Sequence, residues 1–457
     1  MIADLKPYPE YKESGHLWLG DVPTHWDVLP NRAIFSEIKD RDCPDEEMLS
    51  VTITRGIVPQ KALLAGSSKK DSSNTNKAAY KLVQPGDIAY NKMRAWQGAL
   101  GASNLRGIIS PAYVVMRPMA DANPLYFHNL YRTPMFAKEA ERWSYGITSD
   151  MWSLRPEHFK LIGSLLPPPA EQSAIVRFLD HWNGRFEKAI RSKRRVIALL
   201  QEQKQAIIHR AVTRGLDLTV KLKDSGIPWL GDIPAHWEVY RLSFLADFSN
   251  GKAHEQFFDS EGEFVCVNAR FVSTSGTGIK YCTQNFWPAR RGDVLMVMSD
   301  LPNGRALARA YLVNDDRKYA VNQRVCRLRS KRVEAGFLAY AANRNYGLLR
   351  HDDGSNQTHL STGDYKTLPI QCPPAADQQA IVRYLDAHVS KADVLVASLE
   401  REITLLREYR TRLTADVVTG KLDVRAAAAQ MPEEAEEETL PDPEIPEEET
   451  ELEEVEG

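Results

Sequence analysis

Glu171-Gln172-Ser173-Ala174-Ile175-Val176-Arg177-Phe178-Leu179-Asp180 returns later in the chain as Asp377-Gln378-Gln379-Ala380-Ile381-Val382-Arg383-Tyr384-Leu385-Asp386, and each copy opens a long helical pattern. In the second copy Ile381, Leu385, Ala392, Val396, Leu399, Ile403, Leu406, Leu413 and Val417 recur every three or four residues, with no Gly or Pro between Asp377 and Thr419. The first copy repeats the stripe at Ile175, Leu179, Trp182, Phe186, Ile190, Ile197, Leu200, Ile207 and Ala211, interrupted only by Gly184. Charged residues fill the positions between, which is the pattern of a coiled-coil seam. Uninterrupted runs of about 40 residues far exceed the average helix of about 11 to 12 residues, which argues against two ordinary helices lying on a globular core. Each stripe needs a partner, and the other copy is the nearest candidate.

The repeat extends beyond the helices. Ser14-Gly15-His16-Leu17-Trp18-Leu19-Gly20-Asp21-Val22-Pro23-Thr24-His25-Trp26-Asp27-Val28 recurs 211 residues on as Ser225-Gly226-Ile227-Pro228-Trp229-Leu230-Gly231-Asp232-Ile233-Pro234-Ala235-His236-Trp237-Glu238-Val239. Two tryptophans around a Gly-Asp turn and a proline read as a compact clasp anchored by its indoles. His25 and His236 have no other ligand at a metal-binding spacing and are expected to satisfy hydrogen bonds. A third matched pair follows the helices, Val212-Thr213-Arg214-Gly215-Leu216-Asp217 and Val418-Thr419-Gly420-Lys421-Leu422-Asp423. Between each clasp and each helix lies a segment largely unlike its counterpart. Both segments carry short β-rich runs, Leu49 to Ile53, Ala112 to Met116, Phe264 to Val267 and Asp293 to Met298, and both place a Gly-Asp turn before a strand, at Gly86-Asp87-Ile88 and Gly292-Asp293-Val294. A shared fold is expected. Proline steps at 167–169 and 373–374 end each segment and set the helix start.

The expected fold class is therefore α+β: two mixed α/β domains with mainly β cores, separated by two long helices in a pseudo-twofold tandem repeat. The divisions are an N-terminal clasp at 1–31, a first domain at 32–167, a helix and linker at 168–224, a second clasp at 225–241, a second domain at 242–372, a second helix at 373–425 and a disordered acidic tail at 426–457.

Composition limits the function. A chain of 457 residues that is 43% hydrophobic is too long for one domain. Its five cysteines form no Cys-x-x-Cys pair, so neither a zinc site nor a disulfide framework is indicated, and reduced thiols in a cytoplasmic setting are expected. No apolar run is long enough to span a membrane, and the polar start of the chain is unlike a signal peptide. The formal charge of −3 conceals an uneven distribution: 14 acids lie beyond residue 431 with no Lys or Arg, leaving 58 bases against 47 acids, or +11, in the rest. A basic body suits a polyanionic partner. The tail lacks the apolar residues for a core and is rich in Glu and Pro. It is expected to be a solvated end, with competition against DNA for a basic surface as the alternative.

Motifs for chemistry are absent. Neither proline run carries the Asn/Asp-Pro-Pro-aromatic signature of an amino-group methyltransferase, Gly251-Lys252 and Gly420-Lys421 lack the rest of a phosphate loop, and His254-Glu255 lacks a second His. What the unlike segments do contain is base-reading chemistry. Arg reads guanine and Asn or Gln reads adenine with paired hydrogen bonds, while Lys holds phosphates. The candidate DNA-binding residues are Lys92, Arg94, Trp96, Gln97, Arg142 and Tyr145 in the first domain, and Asn303, Arg305, Gln323, Arg324, Asn356, Gln357 and His359 in the second.

Together, the twin Trp-Leu-Gly-Asp-x-Pro-x-His-Trp clasps, the twin helix openings and the twin endings resemble the specificity (S) subunit of type I restriction-modification enzymes, over residues 14 to 424 and in that family's order. The resemblance implies that the unlike segments are target-recognition domains, each reading one half of a split, asymmetric DNA site, and that the chain itself is not an enzyme. It implies that the helices form an antiparallel spacer that docks two modification (adenine methyltransferase) subunits through stripes including Ile175, Leu179, Phe186, Ile190, Leu200, Ile381, Leu385, Leu399, Leu406 and Leu413. S-adenosylmethionine, ATP and Mg would belong to the partner methyltransferase and restriction/translocase subunits, with no cofactor or metal held by this chain and no membrane involved. A helix of this length, up to about 60 Å, exceeds the roughly 34 Å between DNA faces one turn apart, so the helices can act as a ruler. A stand-alone nuclease or methyltransferase is opposed by the missing motifs, and a scaffold without DNA function by the basic body.

Overall fold

A computed structural model describes residues 5–64, 77–119, 121–146, 152–300, 306–351 and 359–432. The chain divides into two units, one formed by Met1–Arg195 with Leu399–Gly457 and the other by Val196–Ser398. Each long helix contributes one part to each unit. The first helix spans Pro169–Arg214 and the second Ala375–Val418. Pro169 sits at the first helical position, where its missing N–H costs nothing. Gly184 lies inside the first helix without breaking it.

The first unit contains a four-stranded antiparallel sheet in the order Phe35–Ile38, Tyr113–Pro118, Ile88–Asn91, Leu100–Ala102. The second contains the same order, Ala246–Asn250, Val325–Ser330, Asp293–Val297, Ala310–Leu312. The shared Gly-Asp turn explains itself here. Gly86 and Gly292 have φ of 91° and 85°, a region favouring glycine. The buried Asp that follows accepts a backbone N–H at 2.9 Å, from Gln84 to Asp87 and from Arg290 to Asp293. Each carboxylate also takes two bonds from an arginine on the neighbouring strand, Arg117 at 2.8 and 3.0 Å and Arg329 at 2.8 and 2.8 Å. One device therefore ties turn to sheet in both domains, which agrees with the expected common fold. The domains diverge on the other side: the second has a further four-stranded sheet with one parallel pairing, Phe264–Val267 with Tyr319–Val321, whereas the first has separate two-stranded pairs.

The last strand of each domain returns to the clasp. Gly163–Leu166 pairs with Asp27–Pro30, and Pro369–Cys372 pairs with Glu238–Arg241. The following helix opening then fastens the assembly. Glu171 accepts hydrogen bonds from the Trp26 indole at 2.9 Å and the Tyr8 hydroxyl at 3.1 Å, and it meets His25 Nε2 at 2.7 Å. Asp377 does the same for Trp237 at 3.1 Å and His236 at 2.9 Å. An anion in the first helical turn also suits the helix dipole. The adjacent glutamine is a staple: Gln172 donates to the Pro167 and Asp121 carbonyls and accepts from Asn123 N–H, while Gln378 donates to the Pro373 carbonyl and accepts from Glu334 N–H. The Glu/Asp-Gln and His-Trp motifs, distant in sequence, are thus two halves of one joint.

In the first unit the N-terminal clasp packs against the end of the second helix. Lys6 bridges Asp423, the Tyr11 hydroxyl donates to the Gly420 carbonyl at 3.0 Å, and the Tyr126 hydroxyl donates to the Val418 carbonyl at 2.9 Å. Gly420, at φ 75°, lies against Pro23 and Trp26 so closely that a side chain would overlap them. Within this unit the helices run antiparallel, with Glu187 paired to Arg410 and Lys193 to Glu402. In the second unit Lys204 reaches Asp393 at 2.5 Å, and Gln371 donates to the Val212 carbonyl at 2.7 Å.

Of the expected stripe, Ile175, Leu179, Phe186, Ile190, Ile381, Leu385 and Leu413 are buried. Leu200, Leu399 and Leu406 are only half-buried. The stripe therefore serves partly as domain core. The expected disordered tail from 426 needs correction at its start: residues Arg425–Ala428 form a helical turn, and Val424, Ala428 and Met431 are buried in the first unit's core. Apolar contact wins over local composition for those few residues. The rest of the acidic segment, from 433, lies outside the described residues.

Candidate nucleic-acid interface

In the first domain the strand Ile88–Asn91 ends in a tight turn. Buried Asn91 uses its side-chain oxygen to accept Met93 N–H at 2.9 Å, so it shapes the turn. A 3-10 turn, Ala95–Gln97, follows. Arg94 donates to Gln97 Oε1 at 3.1 Å, and the Trp96 indole donates to the Met93 carbonyl at 3.0 Å. The helix Pro134–Arg142 packs on this turn. A short returning segment then joins the two groups of candidates: Leu154 N–H donates to the Lys92 carbonyl at 2.9 Å, Trp96 and Trp152 meet edge-on at 5.6 Å, and Tyr145 bridges Ser153. Lys92, Arg94, Trp96, Gln97, Arg142 and Tyr145 are brought to one region. Tyr145 is 61% exposed, with its ring 5.1 Å from His158, and Arg142 is exposed 3.7 Å from Glu139.

In the second domain Met298 links the candidates. Its N–H donates to the Arg324 carbonyl at 2.9 Å and its carbonyl accepts Leu360 N–H at 2.8 Å, while Ser299 bridges His359. Gln323, Arg324 and His359 are exposed. Gln323 and buried Asn322 both donate to Glu255 Oε1, each at 3.1 Å, so Asn322 is structural and Gln323 is held in place. Burial works to raise the Glu255 pKa, but these amides and the 254 and 255 backbone outweigh it, and the carboxyl titrates below its usual range. Asn303, Arg305, Asn356 and Gln357 lie outside the described residues. Asn345 caps the helical turn Tyr346–Leu349 and is occupied there.

His254 is buried, with Nε2 accepting Phe286 N–H at 3.2 Å and Nδ1 2.6 Å from the Lys252 carbonyl, so Nδ1 carries the proton in a neutral ring. It is a framework residue. Among the described residues no group of His, Cys, Asp and Glu is arranged to hold a metal, and no helix is long and apolar enough to cross a membrane.

Sequence reading missed two groups. Buried Lys81 donates to the Tyr113 carbonyl, and its pKa is lowered by burial and by Lys92, Arg41 and Lys39, against the opposing Glu37. Half-buried Trp287 has Lys252 Nζ at 5.3 Å and Arg327 Cζ at 5.6 Å from its ring centroid, a cation–π arrangement. Neither forms a motif in one stretch of sequence, because strand pairing assembles both.

A family model described as the type I restriction modification DNA specificity domain matches residues 234–405. A specificity subunit of the type I restriction enzyme MjaVIII, from Methanocaldococcus jannaschii, is 24% identical over 284 residues, covering 58% of this chain and 64% of that relative. A specificity subunit of the enzyme StySPI, from Salmonella potsdam, is 22% identical over 323 residues, covering 67% of each chain. A chain solved in a study of complex assembly and conformational transition of the type I R-M system shares the fold, with a TM-score of 0.63 and 17% identity over 88% of this chain and 99% of that one. The present chain thus spans just under two thirds of the archaeal relative's length. With its matched frameworks and matched joints, the chain is similar to type I restriction-modification specificity subunits, in sequence to the two relatives and over residues 234–405 to the DNA specificity domain.

Proposed function

We propose that this chain is the DNA-reading subunit of a type I restriction-modification complex, with each domain reading one half of a bipartite, asymmetric target. The observation that carries the reading is the pairing of one framework with two different surfaces. The sheets share strand order and the Asp–Arg clamp, while the turns at their ends present Lys92, Arg94, Trp96 and Gln97 in one domain and Gln323, Arg324 and His359 in the other. A duplicated scaffold with unlike reading groups suits two unlike half-sites. Arg, Gln and Lys are the side chains that such readout employs.

In this reading the long helices form an antiparallel coiled-coil spacer of a pseudo-twofold repeat, and two adenine methyltransferase subunits dock on them. Support comes from apolar side chains left exposed along both helices, among them Val196, Leu199, Val394, Leu395 and Leu405. Restriction/translocase subunits join that core. S-adenosylmethionine, ATP and Mg act in the partners, and the chain contributes selection and placement without catalysis, in the cytoplasm. The test is methylation of a random-sequence DNA library by the chain, with and without a type I adenine methyltransferase subunit. Methylated adenines in a split motif are expected only with both present. Methyl transfer by the chain alone, or a single undivided motif, would overturn the proposal.

A further inference from the structure

Strand register allows the two recognition sheets to be aligned residue by residue. The Asp–Arg clamps make Asp87 equivalent to Asp293 and Arg117 equivalent to Arg329. Counting from those anchors, Ile38 opposite Val115 corresponds to Ser249 opposite Arg327. Lys81, opposite Ile109, then corresponds to Trp287, whose carbonyl accepts Val321 N–H at 2.8 Å. Three residues beyond Ile38 and Ser249 come Arg41 and Lys252, both exposed.

The two groups that sequence reading missed therefore occupy one position of the fold. In the first domain a buried lysine sits under the charges of Lys92, Arg41 and Lys39. Glu37, which opposes them, is already engaged by Lys160 at 2.7 Å and Lys39 at 3.4 Å, and Asp40 acts on Arg117. In the second domain Lys252 and Arg327 flank an indole. Cations gathered beyond what the local carboxylates offset cost stability in the free protein and favour an anion. The cation of the loop, Arg41 or Lys252, is retained although its surroundings differ.

Resting on the DNA-reading function proposed above, we infer that this position in each domain holds a phosphate of the DNA backbone, with Arg41 and Lys252 as equivalent phosphate ligands. Lys81 and Trp287 form the floor of the two sites.

The test is the salt dependence of binding by the full-length chain to a random-sequence duplex, for the chain itself and for Arg41→Gln, Lys252→Gln and the double variant. Both side chains are exposed, so thermal melting should be unchanged. Removing one cation that neutralises a phosphate lowers the slope of log K against log salt by about 0.9, and the double variant should show about twice that decrease. Arg291→Gln, which removes an exposed cation paired to Asp316 at 3.0 Å, should keep the parent slope. If the parent binds with a steep slope and Arg41→Gln and Lys252→Gln retain it, this inference fails while the DNA-reading function stands. A parent chain with no salt-dependent binding would overturn that function itself. Altered affinity for the methyltransferase with an unchanged slope would assign the position to a protein partner and refute the phosphate site.

Discussion

Replacing Glu171 with Ala removes the acceptor at the centre of the first joint. The Tyr8 hydroxyl and the Trp26 indole N–H both end there, and both residues are buried, Trp26 completely. Burial, reinforced by the adjacent Glu171 charge, holds the Tyr8 pKa well above its ordinary value, so the hydroxyl remains a donor. A buried donor left unpaired costs about 1–3 kcal/mol, so the two together put Glu171→Ala at about 2–6 kcal/mol. His25 and Arg425 can turn to water, because their side chains are 43% and 45% exposed. The equivalent Asp377 is itself 40% exposed, against 10% for Glu171, and only the Trp237 indole among its donors belongs to a buried residue. Asp377→Ala should therefore cost about 1–3 kcal/mol. Urea unfolding followed by hydrogen exchange, which reports the two units separately, gives both values. Equal losses at the two sites, or a smaller loss for Glu171→Ala, would refute the assignment of the joint's strength to buried donors.

Gly184→Ala, at a helical position with open space around its side chain, should stabilise by roughly 1 kcal/mol, whereas Gly420→Ala, with positive φ and a clash against Pro23 and Trp26, should cost about 1–3 kcal/mol; melting temperatures check the opposite signs. The His128 pKa is pushed from 6.5 down to about 4 by burial and by Arg132. Its neutral ring is more stable folded, so this contribution is complete above pH 6.5 and is lost as pH falls from 6.5 towards 4, by up to about 3 kcal/mol. His128→Gln should flatten the stability-against-pH curve of the first unit in that window, and an unchanged curve would refute the cause. Truncation after residue 432 should leave folding intact and strengthen non-specific DNA binding at low salt, because 14 acids leave with the segment. Truncation after residue 424 should cost stability as well, since Ala428 and Met431 are buried. Thermal melting and DNA titration of the two truncated chains separate the effects.

The helices, the clasps and the common framework were legible in sequence because they are written twice, and periodicity and turn chemistry are local signals. The joints were not, since His25 and Trp26 meet Glu171 145 or more residues away, and no spacing rule connects a clasp to a helix start. Likewise asparagine is a residue type that reads adenine, yet Asn91 is consumed by a turn, Asn345 by a helix cap and Asn322 by the Glu255 carboxylate. The Lys81 and Trp287 positions appear only once strand register aligns the domains. The residues after the second helix hide their role for a related reason: Met431 stands among acids in sequence, yet the first unit's core takes it in.

Exchange of residues 37 to 165 for the equivalent segment of a relative, followed by mapping of methylated adenines in cells that carry the methyltransferase, tests the central claim most directly. If each domain reads its own half-site, one half of the split motif changes, and the other half and its adenine stay as they were. Changes in both halves, or in neither with methylation intact, would contradict modular reading by two domains.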